Sequence, residues 1–221
     1  MSKILEKIKR RIIQLPIQDE KTISDLRIGD IIYLSGTLAT GRDDVHRRHV
    51  HEKIPLPFDI RNGAIFHAGP IIIEKNGAFK LVSIGPTSSI RMEEWSADFI
   101  MKTGLKIMIG KGAMGAKTAA ACREHRAIHC VYPGGCAVMG AGQVEAVENV
   151  FWRELGMPES LWVIKVRELG PLIVSIDGQG NNIFTDNAAN CASRQNESIS
   201  AIEEFIGQEN AAAWQLTVRR Q

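Results

Sequence analysis

The apolar and polar positions in the first third of the chain follow strand patterns. From Ile28 the pattern becomes that of a strand, with residues 31–34 apolar and Gly36 closing it, and residues 64–73 predict a second strand, interrupted by Gly69-Pro70. Asn76-Gly77 predicts a tight hairpin turn, after which residues 79–84 provide the returning arm. This part of the chain is therefore expected to be a set of strands, two of which form a hairpin.

From residue 90 onward the pattern alternates between helical and strand periodicity. A helix is predicted over 90–103, because Met92 and Phe99 share one face and Gly104 stands where a C-terminal cap belongs. Further helices are predicted over 117–126, 143–152 and 198–207, and buried strands over 105–109, 128–132, 161–166 and 172–176. Early hairpin strands followed by alternating helices and strands predict an α/β fold, in which a mixed sheet carries helices on its faces.

The start of the chain has a different pattern. Residues 3–13 predict an amphipathic helix with four apolar side chains on one side, which Pro16 would end. We therefore expect residues 1–14 to be an N-terminal extension in front of a single domain over residues 15–221. The basic extension lacks the apolar stretch of a signal peptide, so a cytoplasmic location is expected.

Composition and charge exclude several classes of function. The chain has 221 residues, of which 44% are apolar and 24% charged, the ordinary range of globular proteins. Its net charge is +2, with both signs mixed along the chain, which argues against an electrostatic grip on nucleic acid. No apolar run reaches the ~18 residues of a membrane span. The four cysteines form no Cys-x-x-Cys pair, so neither a disulfide framework nor a self-contained metal site is expected.

Three polar segments that contain glycine follow predicted strands, at residues 35–43, 85–91 and 110–112. Ligands of open α/β sheets bind beyond the carboxyl ends of the strands. If these strands are neighbours, four side chains are expected to converge on one pocket: Arg42, Thr87, Arg91 and Lys111. Arginine forks two hydrogen bonds onto a carboxylate, so two arginines and a lysine suit a dicarboxylate held at both ends. Free N–H groups at the start of the helix over 90–103 would add to this anion site.

Each candidate also has a plainer interpretation. Surface arginines and lysines commonly pair with carboxylates or only meet solvent. The cluster of His46, His49 and His51 suits a metal ion poorly, since arginines intervene, and His46 alone is a candidate proton carrier near Arg42. His67 either lines the pocket or is an ordinary core or loop histidine.

Several motifs in the sequence resemble those of a known family. They stand at residues 36–43, 46–48, 67–70, 85–92, 109–112 and 154–162. In this order they resemble the C-terminal domain of the class I, iron–sulfur fumarases, over roughly residues 15–190. Two further segments, Lys111-Gly112-Ala113-Met114-Gly115 and Pro133-Gly134-Gly135-Cys136-Ala137-Val138, resemble the branch of the family that dehydrates tartrate more than the fumarases themselves.

The resemblance implies a swivelling β/β/α domain and a hydro-lyase that dehydrates L(+)-tartrate to oxaloacetate. It also implies a partner alpha subunit that carries a [4Fe–4S] cluster, in an alpha2-beta2 assembly, while this chain binds neither cluster nor metal. Carried over by position, the substrate-binding residues are Arg42, Thr87, Ser88, Arg91 and Lys111. Thr87 matches the family's catalytic base, and Lys111 is expected to be the second catalytic residue.

Three other functions stay open at this point. The same cations would serve a beta subunit of a fumarase, acting on fumarate or malate, or of a mesaconate-type hydratase. A module that captures a dicarboxylate without chemistry is a third candidate. Neither nucleic acid nor a membrane is expected as a partner.

Overall fold

The computed structural model describes residues 11–206 of the chain. Within this range the strands are Arg11–Gln14 (β1), Ile31–Thr40 (β2), Ala64–Phe66 (β3), Ile71–Lys75 (β4), Ala78–Ser83 (β5), Ile107–Gly110 (β6), Ile128–Val131 (β7), Val144–Phe151 (β8) and Leu161–Ile176 (β9). The α-helices are Lys21–Ser24 (α1), Asp43–Val50 (α2), Glu93–Thr103 (α3), Ala116–His125 (α4), Ala137–Gly142 (α5) and Ile183–Ile206 (α6). Short 3₁₀ helices lie at Ser89–Met92 and Arg153–Leu155.

Seven of the strands form one mixed sheet in the order β1-β2-β3-β6-β7-β9-β8. Strands β1, β2, β3, β6 and β7 run parallel to one another, whereas β9 runs antiparallel to β2, β7 and β8. Because β2 also pairs with β9, the pairings close a ring of five strands, namely β2, β3, β6, β7 and β9. The remaining two strands, β4 and β5, form a separate antiparallel hairpin. These elements confirm the predicted α/β class, with a mixed sheet and flanking helices.

Successive side chains of the central strands enter two different apolar clusters. In β6, Ile107 and Ile109 belong to one cluster, which is shared with residues of β1, β2, β7 and β9. Met108, which points to the opposite face, belongs to a second cluster together with Val45 of α2 and Phe99 of α3. Full burial of such a side chain contributes about 1.5–3 kcal/mol, so the sheet is held firmly from both faces. The ends of its strands are therefore well-fixed positions for a site.

Val144–Phe151 form strand β8, so the helix predicted over 143–152 is wrong. Strand β8 pairs with β9, and its register shifts twice, between Val144 and Ala146 and between Val147 and Asn149. Each shift places an extra residue in the strand, as in a β-bulge. The partly buried valines therefore recur every three residues, at 144, 147 and 150, and this spacing imitates a helical period.

The two ends of the chain also differ from expectation. Residues 11–13 lie in β1, which pairs in parallel with β2, so the helix predicted over 3–13 is wrong there, and residues 1–10 lie outside the described range. The division into an extension of residues 1–14 and a domain of 15–221 stays a prediction. The chain divides after Asn182 into two compact units, and α6, in the second, begins well before the helix predicted at 198.

Other predicted elements are confirmed with shifted limits. Asn76 and Gly77 both have positive φ, 54° and 75°, as the predicted hairpin turn requires. Gly104 ends α3 in the left-handed conformation, with φ 65°. The two late strands predicted at 161–166 and 172–176 are parts of one strand, β9. No helix in the described part of the chain is long and apolar enough to cross a membrane. The expected cytoplasmic location stays a prediction.

Candidate active site

Three neighbouring parallel strands end at the same edge of the sheet. Strands β2, β3 and β6 pair side by side in parallel, so their carboxyl ends lie together. Gly41 and Arg42 follow β2, His67 follows β3, and Lys111 follows β6. The strands that precede Arg42 and Lys111 are not direct neighbours, because β3 lies between them, but both pair with β3 and so end at the same edge.

The loop over residues 85–91 reaches this edge by another route. It follows β5, which belongs to the hairpin and not to the main sheet. Backbone hydrogen bonds attach it to the strand ends. Thr87 N donates to His67 O at 2.6 Å, and Lys111 N donates to Thr87 O at 3.0 Å. Ser89 N donates to Lys111 O at 2.9 Å, and Ser88 pairs with Lys111 in a parallel bridge. The structure thus brings Thr87, Ser88 and Lys111 together.

The same hydrogen bonds bear on the expectation that free N–H groups at the start of the helix over 90–103 bind an anion. The N–H groups of Thr87 and Ser89 are already bonded to carbonyl oxygens. The 3₁₀ turn Ser89–Met92 also lies between this loop and the first turn of α3, which begins at Glu93. The hydroxyl groups and the cationic side chains are therefore the principal candidates for holding an anion here.

Both candidate arginines are held by carboxylates. Arg42 lies directly before α2, and its Nη2 is 3.0 Å from Glu159 Oε1. Arg91 forks onto Asp43, with Nε 3.0 Å from Oδ1 and Nη2 2.7 Å from Oδ2. Because Asp43 is the residue after Arg42, this ion pair ties the loop over 85–91 to the end of β2. An incoming carboxylate would have to share these guanidinium groups with the protein's own acids.

Glu159 is the less expected of the two acids. Its carboxylate also accepts a hydrogen bond from Asp44 N at 3.3 Å, so it fixes both the Arg42 side chain and the start of α2. Burial raises the pKa of Glu159, while the charge of Arg42 acts in the opposite direction. Gly69 packs closely against Arg42 and against Pro158, the residue before Glu159. A Cβ added at Gly69 would lie 2.8 Å from Arg42 Nη1 and 2.9 Å from Pro158 Cβ.

Three histidines lie behind these loops, completely buried. His46 donates from Nδ1 to Arg42 O at 2.9 Å, and its ring lies 4.2 Å from that of Phe99. Burial lowers the pKa of His46 to about 4 and that of His129 to about 3, and it also lowers the pKa of His67. All three are therefore neutral at pH 7. Of the two interpretations of His67, the structure supports the buried histidine.

The described residues do not suit a metal or an iron–sulfur cluster. Between residues 11 and 206, no group of three or more His, Cys, Asp or Glu side chains is placed to hold a metal ion. Cys122 and Cys130 are buried, and burial raises the pKa of both thiols, which disfavours the thiolate that binds metal. Cys136 is partly exposed and Cys191 exposed, and neither belongs to a ligand group. Residues 11–206 therefore offer no ligand set for the cluster that the resemblance assigns to a partner subunit.

Glu93 supports the loop that carries Lys111. The sequence places Glu93 in the first turn of α3, where a carboxylate suits the dipole of that helix. In the structure it also binds the start of α4, because its two oxygens accept hydrogen bonds from Gly115 N (2.7 Å), Lys117 N (3.1 Å) and Thr118 N (3.2 Å). Thr118 Oγ1 adds a fourth at 2.6 Å. Glu93 therefore fixes the C-terminal end of the segment that connects Lys111 to α4.

We expect Glu93→Gln to lower the free energy of unfolding by about 1.5–3 kcal/mol, since an amide nitrogen cannot accept the hydrogen bonds of a carboxylate oxygen. Urea denaturation followed by circular dichroism measures this loss. Glu94→Gln is the matched control, because Glu94 is the adjacent, exposed acid on the same helix. Equal stability of the two variants would contradict the role of Glu93 as the cap of α4.

Sequence reasoning missed several residues that build this site. Asp43 and Glu159 lie inside the motifs over 36–43 and 154–162, but the sequence alone did not show that they hold the arginines. Ser89, within the hydroxyl loop, and His129, within β7, are both buried beneath it. A polar residue in the middle of an otherwise apolar strand was the available signal for His129.

Comparisons with known proteins identify the family of this chain. Residues 2–187 match the family described as "Fumarase C-terminus". The chain is similar to the "L(+)-tartrate dehydratase subunit beta" of Escherichia coli K12, with 48% identity over 89% of this chain and 98% of that protein. It is 38% identical to the "Putative L(+)-tartrate dehydratase subunit beta" of Methanocaldococcus jannaschii, over 81% of this chain and 94% of that one. It is 36% identical to the "Putative fumarate hydratase class I" of Geobacillus stearothermophilus, over 80% of this chain but 34% of that protein.

Proposed function

Because this chain belongs to the fumarase C-terminus family, we propose that it is the beta subunit of a hydro-lyase that dehydrates L(+)-tartrate to oxaloacetate. One structural observation carries the proposal. The backbone hydrogen bond from Lys111 N to Thr87 O joins the segment that carries the Lys111 ammonium group to the loop that carries the Thr87 hydroxyl. Both segments lie at the sheet edge that also carries Arg42. These groups suit a small acid that must be held by its carboxylates while it loses a proton.

The two arginines are the proposed carboxylate ligands. Arg91 pairs with Asp43, the residue that follows Arg42, so the two arginines lie on segments joined by an ion pair, and we propose that they serve one small molecule with two carboxylates. Arg91 is 48% exposed at its side chain, whereas Arg42 is 20% exposed. We assign Arg91 to the carboxylate that enters last and Arg42 to the deeper one. Ser88, beside Lys111, is the proposed hydroxyl ligand.

Dehydration removes a proton from one carbon of the substrate and hydroxide from the next. In our proposal Thr87 accepts the proton, and the electron pair of the broken C–H bond becomes the new double bond as hydroxide departs. Lys111 stabilises the negative charge that spreads onto the neighbouring carboxylate while the proton is lost. A threonine hydroxyl is a weak base, and only adjacent cations such as Lys111 make its deprotonated form accessible. The enol product then rearranges to the keto acid oxaloacetate.

A partner chain is part of this proposal. The described residues of this chain do not fit an iron–sulfur cluster, and the chain matches only 34% of the Geobacillus relative. The remaining two thirds of that relative do not align with this chain, and the Escherichia relative is named as a subunit. We therefore assign the [4Fe–4S] cluster to a separate alpha subunit. An alpha2-beta2 assembly is the simplest arrangement of the two chains.

The surface next to the site supports such a partner. Five exposed apolar side chains lie on the hairpin that precedes the loop over 85–91 and on α5, and we call them the apolar rim: Ile71, Ile73, Val82, Val138 and Met139. Three of them lie on the hairpin β4–β5, which leads directly into the loop, and two lie on α5. The hydrogen bond from Ile84 N to Ala137 O joins these two elements. Exposed apolar area of this kind around a site is typical of a protein interface.

We expect Val138→Asp to weaken association with the alpha subunit by at least about tenfold, because a carboxylate at the interface must lose its water. Sedimentation of the co-expressed subunits measures the association. Met101→Asp is the matched control, since Met101 is also exposed but lies at the far end of α3. Equal association of the two variants would remove the apolar rim from the interface.

A fumarase is the second candidate, because the chain is 36% identical to a relative named for fumarate hydration. The test is anaerobic co-expression with the alpha chain, followed by assays on L-tartrate, D-tartrate, malate, fumarate and mesaconate. We expect L-tartrate to be the best substrate by kcat/KM, and the isolated chain to be inactive. A preference for malate and fumarate would establish the second candidate. Activity of this chain alone would refute the assignment of half the site to a partner.

A further inference from the structure

Four buried side chains form a continuous run of hydrogen bonds beneath the loop over 85–91. Ser175 Oγ lies 2.6 Å from His129 Nδ1, His129 Nε2 lies 2.9 Å from Ser89 Oγ, and Ser89 Oγ lies 3.0 Å from His67 Nδ1. All four residues are at most 1% exposed. None of them is among the proposed substrate ligands, so the run is an additional feature of the site. We call it the Ser–His chain.

The direction of the first hydrogen bonds follows from the carbonyl oxygen at one end. Ser175 Oγ also lies 3.1 Å from His129 O. A carbonyl oxygen only accepts, and a serine hydroxyl has one proton to donate. Ser175 therefore donates to His129 O, and its oxygen accepts the Nδ1–H of His129. A neutral imidazole carries one N–H, so His129 Nε2 must be an acceptor.

The direction of the remaining bonds is then determined. Ser89 donates its only proton to His129 Nε2, and Ser89 Oγ must accept the Nδ1–H of His67. Burial keeps both imidazoles neutral, because it lowers the pKa of His67 and of His129. His67 Nε2 has no partner in either direction, so it does not decide between them. The reverse direction loses the bond from Ser175 to His129 O, which contributes about 0.5–1.5 kcal/mol, so the first direction is preferred.

The Ser–His chain is joined to the proposed catalytic residues through the backbone. His67 O accepts from Thr87 N, and Ser89 N donates to Lys111 O. Ser89 is also packed directly against β6, because a Cβ added at Gly110 would overlap Ser89 Oγ. A shift of the Ser89 or His67 side chain therefore moves the backbone that carries Thr87 and Lys111.

We propose that Ser89 and His129 are positioning residues, which hold His67 as its Nδ1–H tautomer and fix the backbone of Thr87 against that of Lys111. The kinetic consequence rests on the proposed function, whereas the order of the hydrogen bonds does not. If these four side chains only packed the core, neither histidine would need to be in one particular tautomer. The proposal can therefore be tested by spectroscopy as well as by activity.

The spectroscopic test uses the full-length chain with ¹⁵N-labelled histidine. Two-bond ¹H–¹⁵N spectra distinguish an Nδ1–H from an Nε2–H imidazole, and single His67→Asn and His129→Asn variants assign the signals. We expect both residues to be Nδ1–H tautomers at pH 7. In Ser175→Ala, His129 loses the acceptor of its Nδ1–H, and we expect the tautomers of His129 and His67 to shift together toward Nε2–H. An Nε2–H form of either histidine in the unmodified chain, or an unchanged His67 in Ser175→Ala, overturns the proposal.

The kinetic test uses Ser89→Ala in the enzyme reconstituted with the alpha subunit. We expect kcat for L-tartrate to fall by about 10–100-fold with little change in KM, because misplaced catalytic groups slow the reaction more than they weaken binding. Ser96→Ala is the matched control, since Ser96 is equally buried but its hydroxyl donates to Met92 O, one turn earlier in the chain. Equal kcat values for the two variants overturn the proposal.

The two tests separate this proposal from the proposed function. If the unmodified enzyme shows no hydro-lyase activity, the proposed function fails, while the tautomers still decide the Ser–His chain. If Ser89→Ala does not fold, the unmodified chain and Ser175→Ala still provide the spectroscopic answer.

Discussion

Replacing Thr87 with valine is expected to lower kcat for L-tartrate by about 10²–10⁴-fold, the range that a positioned acid–base group contributes. Valine has nearly the same shape as threonine but no hydroxyl, so it cannot accept the substrate proton. The loop itself should stay in place, because its hydrogen bonds to His67 and Lys111 use the backbone N and O of Thr87. Steady-state kinetics of the reconstituted enzyme, with KM measured separately, test this expectation.

Thr22→Val is the matched control for this change. Thr22 is a partly buried threonine of α1, outside the candidate site, and its replacement removes the same hydroxyl group. If Thr87→Val keeps a near-normal kcat and changes KM alone, Thr87 only hydrogen-bonds to the substrate. The base would then have to be sought elsewhere, and the proposed mechanism would be wrong on this point.

Replacing Lys111 with alanine is expected to lower kcat by about 10²-fold or more, which is the usual effect of removing one preorganised donor. The ammonium group is proposed to stabilise charge that appears only as the substrate loses its proton, so kcat should fall more than binding. The backbone bonds of Lys111 to Thr87 and Ser89 do not involve its side chain and should survive. Partial rescue by added alkylamines would show that the missing group is the ammonium itself.

Lys117→Ala is the control for this second change. Lys117 is an exposed lysine six positions along the chain, in the first turn of α4, and only its backbone takes part in the contacts described above. A loss of less than about tenfold in Lys111→Ala would contradict a catalytic role, since surface lysines can produce changes of that size by general electrostatics alone.

The ion pairs of the two arginines bear on how a substrate would enter. Arg91 and Asp43 form a forked pair at a partly exposed position, and Arg42 and Glu159 form a more enclosed one. Each guanidinium has five donors, so it can retain its protein carboxylate and still bind a substrate carboxylate. The acids therefore fix the arginine side chains in advance, which reduces the entropy lost on binding.

Local stereochemistry made part of the fold predictable. Asn76-Gly77 and Gly104 require positive φ for reasons that lie within two or three residues, and both were identified from the sequence. The apolar runs that became β6 and β7 were also found, since both are buried on both faces. By contrast, the valines of β8 recur every three residues because of two irregularities in its pairing with β9. That spacing has no local cause, and it led to a helix prediction.

The candidate site shows the same division. The residue types were evident from the sequence, and the parallel pairing of β2, β3 and β6 explains why Arg42 and Lys111 share an edge. The route of the loop over 85–91 was not predictable, because it follows a hairpin outside the main sheet. Its attachment depends on hydrogen bonds from residues about twenty positions away on either side, at His67 and Lys111.

By itself, the sequence determined which chemical groups this protein can offer and where its chain must turn. A hydroxyl, an ammonium or a guanidinium group is a property of one residue, and a left-handed turn is a property of two. The tertiary structure alone decided that Glu159 holds Arg42, that Glu93 caps α4, and that hydrogen bonds connect Ser175, His129, Ser89 and His67. Those relations depend on how strands, helices and loops pack together, because the packing places residues far apart in sequence within about 3 Å of one another.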